Sequence, residues 1–180
     1  MIVRGLIRLS RSVARRMDTN GGSGIKTVGA PKIGMTATFN TRGLDSLEGA
    51  LGSIVESAMH DIADDLTRVS SETAPHDKGV LEKSFSKDVV SQGSKVTATV
   101  TYSVSENSSG GSYNYALKMH EDDYNLGAGS QAKPGGKGMS GKTYPVGKKF
   151  LTRPLYGEAG AYKEHIEKTL DKAIKDREIK

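Results

Sequence analysis

Nine apolar residues between positions 47 and 69 return at three- and four-residue steps: Leu47, Leu51, Ile54, Val55, Ala58, Met59, Ile62, Leu66 and Val69. That period places them on one stripe of an α-helix, whereas a strand would scatter them over both faces. The spacing predicts a helix over 45–71, with Asp45 as N-cap and Glu48 three residues on, as in a capping box. Pro75 ends the run.

The next segments read as sheet. Residues 78–84 fit one helical turn, and 85–90 with 96–102 fit a β-hairpin around a Ser-Gln-Gly-Ser turn. Its second strand alternates small or apolar residues with threonine, the pattern of a half-buried strand. Residues 103–112 read as a polar loop, and 113–120 as a short element of ambiguous type. The stretch 122–149 is basic, rich in glycine and too long for a plain connection, so it is expected to be either disordered or functional. A last helix is predicted over 153–177, with Leu155, Tyr162, Ile166, Leu170, Ala173 and Ile174 on one side. The implied fold class is α+β, with the long helix and the C-terminal helix packed on a small antiparallel sheet of about four strands.

Composition narrows the function. Only 35% of the 180 residues are hydrophobic and 6% aromatic, a lean core with 22 glycines to spend on loops. No apolar run is long enough to span a bilayer. With no cysteine there is no disulfide, thiolate metal site or thiol nucleophile. The net charge of +5 is concentrated at one end: residues 1–34 hold seven Lys/Arg and one acid, and 35–180 hold nineteen and twenty. The body is thus nearly neutral, and the overall charge is a poor argument for nucleic-acid binding. Arg4, Arg8, Arg11, Arg15 and Arg16 alternate with apolar residues in a segment that fits a flexible arm, an amphipathic basic helix or a mitochondrial transit peptide. A Gly/Ser/Asn linker over 19–24 follows, and Met35 opens what reads as the domain proper, 35–180.

The candidate chemistry is thin. Residues 136–143, Gly-Lys-Gly-Met-Ser-Gly-Lys-Thr, satisfy the phosphate-loop string. The mechanism needs a buried strand before the loop and a helix starting at Lys142-Thr143. Pro145 and Gly147 forbid that helix, so the stretch reads as a mobile basic loop. His60, His76, His120 and His165 read as packed or surface histidines. His120-Glu121-Asp122-Asp123 has metal-ligating atoms but no second histidine at helical spacing. Asp64-Asp65 reads as a solvated helix face, and the scattered tyrosines form no nucleic-acid recognition pattern. No catalytic residue, cofactor or metal ligand is identified, and the chain is not expected to be an enzyme.

Three stretches carry a resemblance. They are Ala74-Pro75-His76-Asp77-Lys78-Gly79-Val80-Leu81-Glu82-Lys83-Ser84-Phe85 after the long helix, Tyr115-Ala116 with His120-Glu121, and Lys149-Phe150-Leu151-Thr152-Arg153-Pro154-Leu155 before the last helix. In this order they resemble the head–tail joining proteins of tailed bacteriophages, also called neck, tail-completion or minor capsid proteins. The resemblance covers about residues 35–178. Two departures stand out: the arm at 1–34 is extra, and the segment between Glu121 and Phe150 is longer and more basic than the family pattern.

The resemblance implies a structural virion protein at the head–tail interface, in a closed ring of sixfold or twelvefold symmetry with a lumen for DNA. Its expected partners are further copies of itself, a portal, adaptor or head-closure protein on one side, and a tail-tube or terminator protein on the other. No membrane is involved, and contact with DNA is non-specific. The candidate docking residues are Arg4, Arg8, Arg11, Arg15 and Arg16 in the arm, with Lys133, Lys137, Lys142, Lys148 and Lys149 in the long loop. Pro75, Gly79, Leu81, Ser84, Tyr115, Glu121, Phe150 and Leu151 are expected to form the fold. The rival readings are a nucleotide-binding protein using 136–143 and a nucleic-acid-binding module using the arm.

Overall fold

The apolar stripe builds the helix it predicts. The computed structural model describes residues 8–13, 33–40, 48–93, 95–108 and 111–178. Within these, α1 (Glu48–Thr73) buries Val55, Ala58, Met59, Ile62, Leu66 and Val69 almost completely. Arg4, Arg15, Arg16, the linker over 19–24, and the expected cap at Asp45 lie outside the described residues.

The surface that α1 covers is an antiparallel sheet. It contains β1 (Arg8–Val13), β2 (Ile33–Asn40), β3 (Phe85–Gln92) and β4 (Lys95–Tyr102), in the order β1-β2-β4-β3. Strand β4 shows why the layers meet as they do. Val96, Ala98, Val100 and Tyr102 are buried in the core that they share with α1, while Thr97, Thr99 and Thr101 between them are only half-buried. The period of two thus separates a core face from a polar face. Mixed helix and strand with antiparallel sheets is the class that the sequence patterning implies.

One segment differs from the reading as helix or flexible arm. Residues 8–13 form a strand on β2, in register from Arg8↔Thr38 to Val13↔Ile33. Arg-Leu-Ser-Arg-Ser-Val carries apolar residues at spacings that suit either period. The deciding factor is the neighbouring β2, whose backbone groups pair with it. Arg8 and Arg11 therefore belong to the sheet.

After α1 come α2 (Val80–Lys83), then a separate ribbon of β5 (Ser105–Ser108) and β6 (Gly111–Asn114) where a polar loop was expected. The ambiguous element that follows is α3 (Tyr115–Glu121), capped by Asn114, whose side-chain oxygen accepts the Leu117 amide at 3.0 Å. The long segment 122–149 is ordered: it holds α4 (Ala128–Gln131) and a small hairpin of β7 (Gly136–Lys137) and β8 (Thr143–Tyr144). The C-terminal helix comes in two pieces, α5 (Thr152–Gly157) and α6 (Ala159–Glu178), parted at Glu158. Phe150, Leu151, Leu155, Tyr162, Ile166 and Leu170 complete the core against α1 and β4. Among the described residues, no helix is long and apolar enough to cross a membrane.

Candidate functional site

The three stretches that carry the family resemblance meet in space. Thr73, at the end of α1, donates its hydroxyl to the Phe150 carbonyl at 2.9 Å and accepts the Gly147 amide at 3.0 Å. The Lys149 amide donates to the His120 carbonyl at 2.8 Å, and the Lys149 ammonium pairs with Glu121. His120 is fully buried, with Nδ1 2.8 Å from Glu121 Oε1 and Nε2 2.9 Å from the Thr152 hydroxyl. Its ring stands edge-on to Phe150 at 5.2 Å, and Phe150 stands edge-on to Tyr102 at 5.2 Å. The Tyr102 hydroxyl in turn meets Ser70 at 2.8 Å and Ser71 at 2.9 Å. A seam of rings thus joins the sheet, the end of α1, α3 and the entry to α5.

The turn after α1 is tied to the same seam. Gly79 lies at φ 74°, a left-handed conformation that a side chain would strain, and it sends Leu81 back into the core. Ser84 closes the turn by donating its hydroxyl to the Leu81 carbonyl at 2.8 Å. Lys133 reaches in from the long segment and donates to the carbonyls of Ser71 at 3.2 Å and Ala74 at 2.9 Å, and to Glu82 at 2.7 Å. It caps the C-terminal end of α1, where carbonyls lack partners and a cation is favoured. Burial pushes the Glu82 carboxyl up, but hydrogen bonds from Lys133 and His76 hold it below its ordinary value. Ser130 completes the tie, accepting the His76 amide at 2.8 Å and donating to the His76 carbonyl at 3.1 Å. Lys133 is thus part of the fold's interior wiring, whereas the sequence placed it among docking residues.

The phosphate-loop string behaves in a way its spelling does not suggest. Residues 136–144 form a hairpin, and no helix starts at Lys142-Thr143. Its tip amides are occupied by the chain's own carboxylates. Met139 N–H donates to Asp65 Oδ2 at 3.1 Å, and Ser140 N–H donates to Glu158 Oε2 at 2.6 Å. Glu158 is fully buried and also accepts the hydroxyls of Ser140 and Tyr144, each at 2.7 Å. Burial pushes its carboxyl up, yet these donors and the nearby Lys142 charge hold it below its ordinary value. The Tyr144 hydroxyl is pushed up by burial and by donating to Glu158. The glycines permit this closeness: a Cβ on Gly136 would lie 2.7 Å from the Val69 carbonyl oxygen, and one on Gly138 would overlap the Glu158 carboxylate.

Asp65 is the residue that the sequence reading misplaced. Asp64 is exposed and pairs with Lys87, as a solvated face implies, but the Asp65 side chain is only 11% exposed. It accepts Arg68 at 2.5 Å, Tyr162 Oη at 3.0 Å and the Met139 amide. The phase of α1 held the signal: position 65 follows Ile62 by three and precedes Val69 by four, on the border of the apolar stripe.

The basic docking candidates among the described residues lie on different elements. Arg8 and Arg11 sit in β1, while Lys137 and Lys142 sit exposed on the hairpin, Lys142 lying 5.3 Å over the Tyr144 ring. Lys148 pairs with Asp123, and the half-buried Lys149 with Glu121. His60 is exposed, and His165 faces Asp61 at 3.0 Å. Among the described residues, no group of three His, Cys, Asp or Glu side chains is placed to hold a metal. A cleft of about 290 Å³ lies between the turn after α1 and the α3–α4 segment, lined by Pro75, Asp77, Tyr115, Met119, Tyr124 and Leu126 among others. A smaller one of about 110 Å³ shares Pro75, Asp77 and Tyr115 with it. In the larger cleft Ser130 and His76 are already engaged, by each other's backbone contacts and by Glu82, so they form no nucleophile–base pair. Neither a family model, nor a curated protein, nor a solved structure matches the chain.

Proposed function

We propose that this chain is a structural protein of a tailed bacteriophage, placed in the virion at the head–tail junction. In this reading copies assemble in the host cytoplasm into a closed ring of sixfold or twelvefold symmetry. The ring joins the portal or head-closure side to the tail and leaves a channel through which DNA passes without sequence-specific contact. It acts by assembly rather than by catalysis.

One observation carries the reading. The second and third of the stretches that resemble the head–tail joining family pack against one another through His120, Lys149 and Phe150, and Ala74 and Leu81 of the first lie in the same buried core as Ala116, Phe150 and Leu151. Residues that recur in a family for the sake of its fold are expected to touch in this way. The long helix packs on β3 and β4 of the four-stranded sheet and the C-terminal helix packs on the long helix, an arrangement of the α+β class that the patterning implies. The nucleotide reading is weakened because Asp65 and Glu158 hold the amides that a phosphate would need.

The test is cryo-electron microscopy of phage particles from the source. Density for this chain is expected as a ring between portal and tail, and its copy number gives the symmetry. Intact tailed particles that lack the chain would overturn the reading.

A further inference from the structure

The sheet ends in β3, and the outward side of that strand can be read residue by residue. The Ser103 amide donates to the Ser84 carbonyl at 3.2 Å, so these two form a hydrogen-bonded pair just ahead of Phe85↔Tyr102. Antiparallel pairing alternates. Ser86, Asp88, Val90 and Gln92 therefore turn their backbone groups to β4, and Phe85, Lys87, Val89 and Ser91 turn theirs outward. The register runs unbroken through all eight pairs, with neither proline nor glycine in the strand. Phe85 and Val90 are 43% and 38% exposed, and Lys87 is drawn back toward Asp64. A long, regular edge with exposed apolar side chains and few charges is the kind that accepts another strand.

We propose that the outer edge of β3 is the docking site for β1 of a second copy of this chain, and that this contact, repeated, closes the ring. The inference rests on the ring assembly proposed above. Strand polarity favours β1 as the occupant. Each neighbour in the order β1-β2-β4-β3 is antiparallel, so β3 runs opposite to β1. A copy related by rotation about an axis along the strands thus presents β1 antiparallel to β3, and the alternation continues from copy to copy. Such a contact joins two different surfaces, which is what a ring requires; β3 against β3 across a twofold axis would stop at a dimer. Charge agrees: β1 carries Arg8 and Arg11 and no acid, while the β3 side presents Asp88 and Asp64 against Lys87.

The experiment compares the full-length chain with Ser91→Pro by sedimentation velocity over a concentration series. Proline at 91 removes an outward amide and leaves the β4 ladder intact. The expected result is a closed oligomer for the wild type and association weakened at least tenfold for the variant, with a similar unfolding midpoint. Amide exchange guards against a folding defect in the variant: in the wild-type assembly the amides of Lys87, Val89 and Ser91 are expected to slow. A Ser91→Pro chain that assembles like the wild type overturns the proposal, as does an assembly in which those amides exchange freely. A wild-type chain that stops at dimers, or remains monomeric at about 1 mM, overturns it too. A ring seen in particles with β3 open to solvent would sink this contact alone, whereas particles without the chain would sink the reading beneath it.

Discussion

Glu158 accepts the amide of Ser140 at 2.6 Å and its hydroxyl at 2.7 Å, so one buried carboxylate satisfies both donors of a residue eighteen positions earlier. That relationship orders a glycine-rich hairpin with little apolar surface of its own.

Glu158→Gln is expected to lower stability by about 1–3 kcal/mol, because one face of the amide then points a donor at donors. The midpoint of thermal unfolding should fall by roughly 2–12 °C. The pH dependence follows from the direction of the shift. The folded carboxyl lies below its ordinary value of 4.5, so the stability it contributes is complete above that value and is lost as pH falls through the folded one. The wild type should lose stability more steeply than the variant below about pH 4.5. Glu82 shifts in the same direction, so the variant keeps part of the acid dependence. Unfolding scans from pH 7 to pH 3 check both points.

Lys133→Met is expected to destabilise the fold by about 1–3 kcal/mol, since the carbonyls of Ser71 and Ala74 lose a donor and Glu82 loses its cation. Lys137→Met, at an exposed position of the neighbouring hairpin, should change stability by less than about 0.5 kcal/mol. Denaturant titration of the two variants separates an interior role from a surface one.

The long helix was legible because burial alone specifies it: its apolar residues repeat with the helical period. Strand β4 was legible for the same reason with a period of two, whereas the mostly exposed β3 was marked by the turn that joins it to β4. The segment 122–149 was not, because its order comes from polar bonds to distant groups: Lys133 to the end of α1, Met139 to Asp65, and Ser140 to Glu158. No local pattern records such partners. β1 was missed on similar grounds, since its pairing depends on β2 some twenty residues away. The stretches that carry the resemblance were visible as strings, but that they share one buried core was not.

Calorimetric titration with Mg·ATP or Mg·GTP is expected to give no saturable heat at ligand concentrations near 1 mM. Lys142→Ala should leave that result unchanged. Saturable binding lost in Lys142→Ala would restore the phosphate-loop reading.

Truncation to Met35 removes β1 and the first two residues of β2. It is expected to lower the unfolding midpoint and to leave β2 as a bare edge, so the shortened chain should aggregate more readily than the whole one. Light scattering on heating checks this. A truncated chain that melts and scatters like the full one would show that β1 contributes nothing to the sheet.

The hairpin also has a mechanical consequence. Asp65 belongs to α1 and Glu158 precedes α6, yet they grip adjacent residues of a single turn. Sliding one helix along the other must break both grips together, and Tyr162 on Asp65 adds a third. The segment that looked like slack is a diagonal brace between the two long helices, set to resist shear.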